Sequence, residues 1–257
     1  MAFTLTSDVA KTSQFNGTGT ASITVTLPTC NAGDFIRVWV TMGTNPNTNT
    51  ITVSDPTNGA YTAGQKLYQA LAGQGSQQFL FKNSAANPGV ITASYNAGTP
   101  YTGMYAEAWG GCDTTTGIDP GKEQGQIQVA PGTGANAIVS NATGPTPTQT
   151  DLFLGSCMDH NVVTSTQVVG TNVAWGTNTN GNQTAGLATR FENFTSGSAL
   201  AATYTDATNG AAHDYATMVM AVLPAASGPS AGTDTATAGL TESLNTVSVT
   251  LSIQESG

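Results

Sequence analysis

Two short stretches hold the residues best suited by type to do chemistry. YAEAWGGCDTTTGIDP, Tyr105 to Pro120, gathers a tryptophan, a cysteine, two aspartates and a run of threonines. GSCMDH, Gly155 to His160, sets Ser156, Cys157, Asp159 and His160 close together. A nucleophile beside a base and an acid is the raw material of acyl transfer. Paired carboxylates are the raw material of a cation site or of glycoside hydrolysis. Neither stretch has the spacing those reactions need. Asp113 and Asp119 lack the alternating oxygen ligands and central glycine of a calcium loop. GSCMDH is not G-x-S-x-G, whose serine sits on a strand-turn-helix elbow. Cys157, His213 and Asp214 form a Cys-His-Asp set in type only, in a chain with two histidines. The 15 acids fall in no recognisable motif. No glycine-rich phosphate loop runs into a helix. The expectation is therefore no catalytic residue, no metal and no cofactor.

The opening stretch reads better as architecture. Tyr105, Glu107 and Trp109 alternate, as on one face of a strand. Gly110-Gly111 suits a tight exit. Asp113 and the threonines suit a turn whose side chains bond nearby backbone, and Asp119-Pro120-Gly121 suits another turn. Among the tryptophans, Trp39 and Trp109 lie in apolar strands and read as core. Trp175, in NVAWGTNTNGNQT, borders an Asn/Thr/Gly loop and is the candidate for a glycan contact.

Composition sets the frame for these residues. Only 8% of the 257 residues are charged, against roughly 25% in an average globular protein. Polarity comes instead from Thr, Gly, Asn and Ser, which suit half-exposed strands and the turns between them. The hydrophobic share of 39% is enough for a core. The net charge is −9, and the six Lys and Arg residues are scattered, so the basic stripe of a nucleic-acid binder is missing. No apolar run has the length of a membrane span, and MAFTLTSDVAKTSQF has no signal-peptide pattern. Cys30, Cys112 and Cys157 are odd in number and far apart, so they read as reduced, buried and apolar in behaviour.

Strand patterns recur along residues 1–224. ASITVTLP alternates Ile23, Val25 and Leu27 with hydroxyl residues. In NAGDFIRVWVTM the apolar run is nearly continuous, as in a strand covered on both faces. Asp55-Pro56 and Asn58-Gly59 mark a turn. QQFLFKN and GVITASYN, joined by SAANP, read as a hairpin. QKLYQALAGQ is the best helix candidate, but it is short, bounded by Gly and without a clear cap. GDFIRVWVTM and TDLFLGSCMD share a turn residue, Asp and an apolar run, and each suits a central strand of one half of a sandwich. The similarity is too short to read as a sequence repeat. The expected fold is all-β: a two-sheet β-sandwich of jelly-roll type over 1–224, with a short C-terminal β extension.

Residues 225–233 form a small-residue linker with a Gly-Pro break. In the extension, 234–257, Val247, Val249, Leu251 and Ile253 fall on one strand face, with Ser248, Thr250 and Ser252 on the other. A segment this short does not bury such a face alone. The stripe must pack on the main domain, on further copies of the chain or on another protein; because the linker lets the strand leave its own domain, it is the candidate for oligomerisation or anchoring.

The phrases GDFIRVWVTM, TVSDPTNGAYT, FLFKNSAANPGVITASYN, MYAEAWGGCDTTTGIDP, TDLFLGSCMD and HDYATMVMAVLP occur in that order. The series resembles a β-sandwich domain of tailed-bacteriophage virion proteins, seen also in some bacterial surface proteins. Glu107 with Gly110 or Gly111 matches one of the family's phrases, and Leu223-Pro224 matches its close. The resemblance implies a jelly-roll-like sandwich, a virion or surface context and no catalytic residues. It implies synthesis in the host cytoplasm, which fits reduced cysteines beside an exterior type of surface. The function expected from it is a non-enzymatic structural protein, foremost a head decoration or minor capsid protein. A tail or fibre subunit and a carbohydrate-binding module for host-surface glycans are the alternatives. Expected partners are a major capsid or tail protein, further copies of the chain (a trimer foremost) and a host glycan, with no nucleic acid and no membrane.

Overall fold

The computed structural model describes residues 3–13, 20–70, 73–99, 102–129, 137–139, 149–159, 163–165, 171–173, 188–197, 203–206 and 214–226. The chain divides into a unit Met1–Ala226 and a unit Ser227–Gly257, and every described residue belongs to the first. Those residues form strands, turns and bends, with no helix among them. The first set of strands is β1 Thr4–Ser13, β2 Thr20–Thr26, β3 Phe35–Met42, β4 Ile51–Asp55, β5 Gly59–Ala60, β6 Thr62–Gln69, β7 Gln74–Phe81, β8 Val90–Thr99 and β9 Thr102–Gly110. The second is β10 Ile118–Val129, β11 Ala137–Val139, β12 Asp151–Asp159, β13 Val163–Ser165, β14 Thr171–Val173, β15 Ala188–Ser196, β16 Thr203–Asp206 and β17 Asp214–Val222. All named pairs are antiparallel.

These strands make four sheets, where the sequence suggests two. Sheet I has the order β1-β9-β3-β7-β6 and sheet II the order β2-β8-β4-β5. Sheet III has the order β10-β17-β12-β15-β14 and sheet IV the order β11-β16-β13. Sheet III repeats sheet I strand for strand, and sheet IV repeats the first three strands of sheet II. The register repeats too. Phe35 faces Trp109 and Arg37 faces Glu107 across β3 and β9, while Leu152 faces Val222 and Leu154 faces Met220 across β12 and β17. A bulge interrupts β1 after Leu5 and β10 after Ile118, at the matching place in each half. The short likeness of GDFIRVWVTM and TDLFLGSCMD is thus the sequence trace of a repeated topology, with β3 and β12 at the centres of sheets I and III.

β3 shows why its sequence is an almost unbroken apolar run. All eight of its residues are buried. Ile36, Val38, Val40 and Met42 face one core with Ile23, Val25, Ile51, Val53, Ile91 and Ala93 of sheet II. Phe35, on the opposite face, joins Leu80 and Trp109 in a second core with Leu152, Leu154, Met220 and Val222 of sheet III. Sheet I is therefore a middle layer, and its two faces are sealed by different sheets. β4 has only one buried face and accordingly alternates buried and exposed residues.

Two expectations about connections change. QQFLFKN and GVITASYN do not pair: β7 lies between β3 and β6, and β8 between β2 and β4. The link crosses between sheets through a corner tied by Gly33 N–H to Ser84 O at 2.8 Å, Ser84 N–H to Asp34 O at 2.9 Å and Asn87 N–H to Cys30 O at 2.9 Å. Asp119-Pro120-Gly121 does not reverse the chain. It lies inside β10, where Gly121 takes φ +76° at the bulge. The Asp55 turn forms as expected, its Oδ1 accepting from Thr57 N–H at 2.8 Å and Asn58 N–H at 2.6 Å. QKLYQALAGQ supplies the end of strand β6, in line with its weak helix signals.

Candidate functional site

Tyr105, Glu107 and Trp109 share the face of β9 opposite Met104, Ala106 and Ala108, which join the core under sheet II. Glu107 has no solvent exposure, and it pairs through Oε1 with Arg37 Nε, also unexposed. Its Oε2 accepts from Trp109 Nε1 at 2.9 Å. Arg37 Nη2 reaches Gly155 O of β12 at 3.4 Å. Burial pushes the Glu107 carboxyl up, and Arg37 and the Trp109 N–H oppose that rise. Among the described residues this is the one ion pair. Glu107 was read from sequence as a face residue and Arg37 as a scattered charge. Their pairing is set by register across two strands far apart in the chain.

The rest of the opening stretch is a loop that fastens the two halves. Asp113 Oδ1 accepts from Thr115 N–H at 2.9 Å, from Thr116 N–H and from Gly117 N–H at 3.2 Å. These bonds, Thr116's foremost, hold the Asp113 carboxyl below its usual range, with Lys82 adding to the effect. The threonines thus serve the turn through their backbone. The loop then clasps the end of β17. Asp113 N–H bonds Leu223 O at 2.9 Å, Leu223 N–H bonds Gly117 O at 2.8 Å and Ala225 N–H bonds Gly111 O at 2.8 Å. Cys112 and Pro224 form a bridge within this clasp. A second tie runs from β10 to sheet I: Glu123 Oε1 accepts from Gln65 N–H at 2.6 Å and from Gln78 Nε2. Gln65 lies in the bulge of β6, between Ala63 and Lys66.

Beside the loop is an open pocket of about 440 Å³, lined by Thr62, Leu80, Phe81, Lys82, Asn83, Thr114 and Thr115. Lys82 Nζ donates to Thr115 O there at 2.8 Å. Another polar group is buried in sheet III. Asp151 has no exposure, and its Oδ1 accepts from Gln149 Nε2 at 2.6 Å. Burial pushes its pKa up to about 6; the Asp119 carboxyl adds to the rise, and Gln149 and Lys122 oppose it.

Cys30, Cys112 and Cys157 are buried thiols outside any disulfide, as expected. Cys157 lies opposite Thr217 inside sheet III, away from solvent. His160 and His213 lie outside the described residues. So do Trp175 and the stripe Val247, Val249, Leu251 and Ile253. Trp39 and Trp109 are core residues, at 0% and 3% exposure. Among the described residues no group of three or more His, Cys, Asp or Glu side chains is placed to hold a metal ion, and no helix is long and apolar enough to cross a membrane. No protein-family model, no curated protein and no solved structure matches the chain.

Proposed function

We propose that the chain is a non-enzymatic structural protein of a bacteriophage particle, foremost a decoration protein of the head, with a tail or fibre subunit as the alternative placement. In this reading each half of the body is a jelly-roll-like two-sheet sandwich. The observation that carries the proposal is the clasp at the end of β17. That strand lies between β10 and β12, and Ala225 N–H is bonded to Gly111 O. The segment bearing the Val247, Val249, Leu251 and Ile253 stripe therefore leaves a firmly held point on a body with two sealed cores. A held body and an apolar stripe in the sequence that follows it suit display on one side and attachment on the other.

The test is the solution mass of the full chain beside a chain ending at Ala226, together with mass spectrometry of purified phage particles. A trimer that falls to a folded monomer on truncation, and a fixed copy number of this chain per particle, are the expected results. Absence from particles would overturn the virion reading. Glycan binding is a second reading, favoured by the pocket at Phe81, Lys82 and Asn83 as well as by Trp175. It expects glycan-array signals that disappear with Phe81→Ala or Trp175→Ala.

A further inference from the structure

Sheets manage their edges, because an unpaired edge recruits other strands. Most edge strands described here are blunted. β1 carries Asp8, Lys11 and a bulge. β6 carries Lys66 and a bulge whose Gln65 N–H is taken by Glu123. β10 carries Pro120, Lys122, Glu123 and a bulge. β5, β11, β13 and β14 have three residues or fewer. β2 is the exception. Among the described residues it pairs only with β8, and its sequence TASITVT holds no charge and no proline. Its one irregularity lies at its start, between Thr20 and Ser22.

The stripe segment is written in the same pattern as β2. Ser22-Ile23-Thr24-Val25-Thr26-Leu27 corresponds to Thr246-Val247-Ser248-Val249-Thr250-Leu251, hydroxyl for hydroxyl and apolar for apolar. The apolar residues Ile23 and Val25 of β2 are buried, at 4% and 5%, as is Leu27 just beyond it, at 6%. Its hydroxyls continue an outer face shared with Thr52, Ser54, Thr92 and Ser94 on β4 and β8, each exposed or half-buried.

We infer that Thr246–Ile253 of one copy adds to the edge of β2 that no described strand pairs with, in a second copy, extending sheet II by one strand. The apolar stripe then continues the row Ile23, Val25, Leu27, and Ser248, Thr250 and Ser252 continue the hydroxyl face. The contact joins two different surfaces, so successive copies link head to tail, and closure after three gives the trimer. This inference rests on the attachment role proposed above for the C-terminal segment.

The test is cross-linking between differently marked chains. Full-length protein carrying Thr24→Cys is mixed with full-length protein carrying one of Thr246→Cys, Ser248→Cys, Thr250→Cys or Ser252→Cys, and oxidised. All these positions are hydroxyl residues, and the native cysteines are buried. A disulfide-linked dimer joining the two kinds of chain is expected at one or two of the four positions. With both cysteines in one chain, covalent species should extend to trimer. No link between unlike chains at any of the four positions overturns the inference, and so does a link formed only within one chain. If truncation at Ala226 still lowers the mass while no link forms, the attachment role stands and the β2 edge is excluded as its partner.

Discussion

Arg37 and Glu107 occupy the register positions that Leu154 and Met220 occupy in the other half. One repeated backbone thus carries an ion pair in one copy and an apolar pair in the next. Removing one member of a buried pair leaves an uncompensated charge and costs about 3–5 kcal/mol, whereas an apolar replacement of both is often neutral. Arg37→Leu and Glu107→Met should therefore each lower the denaturation midpoint sharply. The double substitution, which copies the other half, should recover most of the loss, short of the bond that Trp109 Nε1 gives up. Additive losses in guanidinium titrations would show that the two charges do not act as a pair. Asp151 gives a pH prediction. An acid whose pKa is raised to about 6 in the folded chain keeps its proton there after the unfolded chain has lost it. Its contribution to stability is therefore most favourable below the ordinary carboxylate pKa, falls as pH rises through about 4 to 6, and stays low above. Asp151→Asn should stabilise the protein by on the order of 2 kcal/mol at pH about 7.5 and by almost nothing near pH 4. Equal effects at the two pH values would refute this. Neither feature was legible in the sequence, because both depend on which residues the register sets opposite or beside one another.

Elements were legible where their local chemistry decides them. The β3 run, the Asp55-Asn58-Gly59 turn and the Asp113 turn follow from residues in immediate succession. The β7–β8 link was misread because Ser84 to Gly89 has the composition of a hairpin turn. Its use as a corner between sheets depends on Cys30, Asp34 and Asn58, which lie far off in sequence. The repeat stayed hidden because the two halves share strand order and register but place different side chains on them. At this scale the clasp is open to test through Gly117. It takes φ +76°, and a Cβ there would lie 2.8 Å from Lys82 Cδ and 3.4 Å from the Phe35 ring. Gly117→Ala should cost about 1–2 kcal/mol from backbone strain, with crowding added. It should also speed amide exchange at Leu223, whose N–H bonds Gly117 O. Unchanged exchange at Leu223 would show that the clasp does not depend on this turn.

Across the whole body, sheet I cannot keep both faces dry without sheet III. Phe35, Leu80 and Trp109 meet Leu152, Leu154, Met220 and Val222 in one core, and Arg37 with Glu107 lies on the same side of sheet I. Pulling the halves apart would wet that apolar surface and expose an ion pair whose setting is dry. It would also break the Glu123 bonds to Gln65 and Gln78 and the clasp on β17. Each loss falls on both halves at once, so the two should unfold together despite their separate strand sets. Tryptophan placement allows a direct check. Trp39 and Trp109 belong to the first half, and Trp175 lies in the second half of the sequence. In Trp175→Phe protein, fluorescence then follows the first half alone, while far-UV circular dichroism follows the strands of both. The two signals should give one midpoint and one slope in guanidinium. The first half expressed alone should fail to reach a folded monomer, because its sheet I would present Phe35, Trp109 and the Arg37–Glu107 pair to water. Separated fluorescence and dichroism transitions, or a stable isolated first half, would mean that the sheet I–sheet III contact joins two independent modules and does not complete either of them.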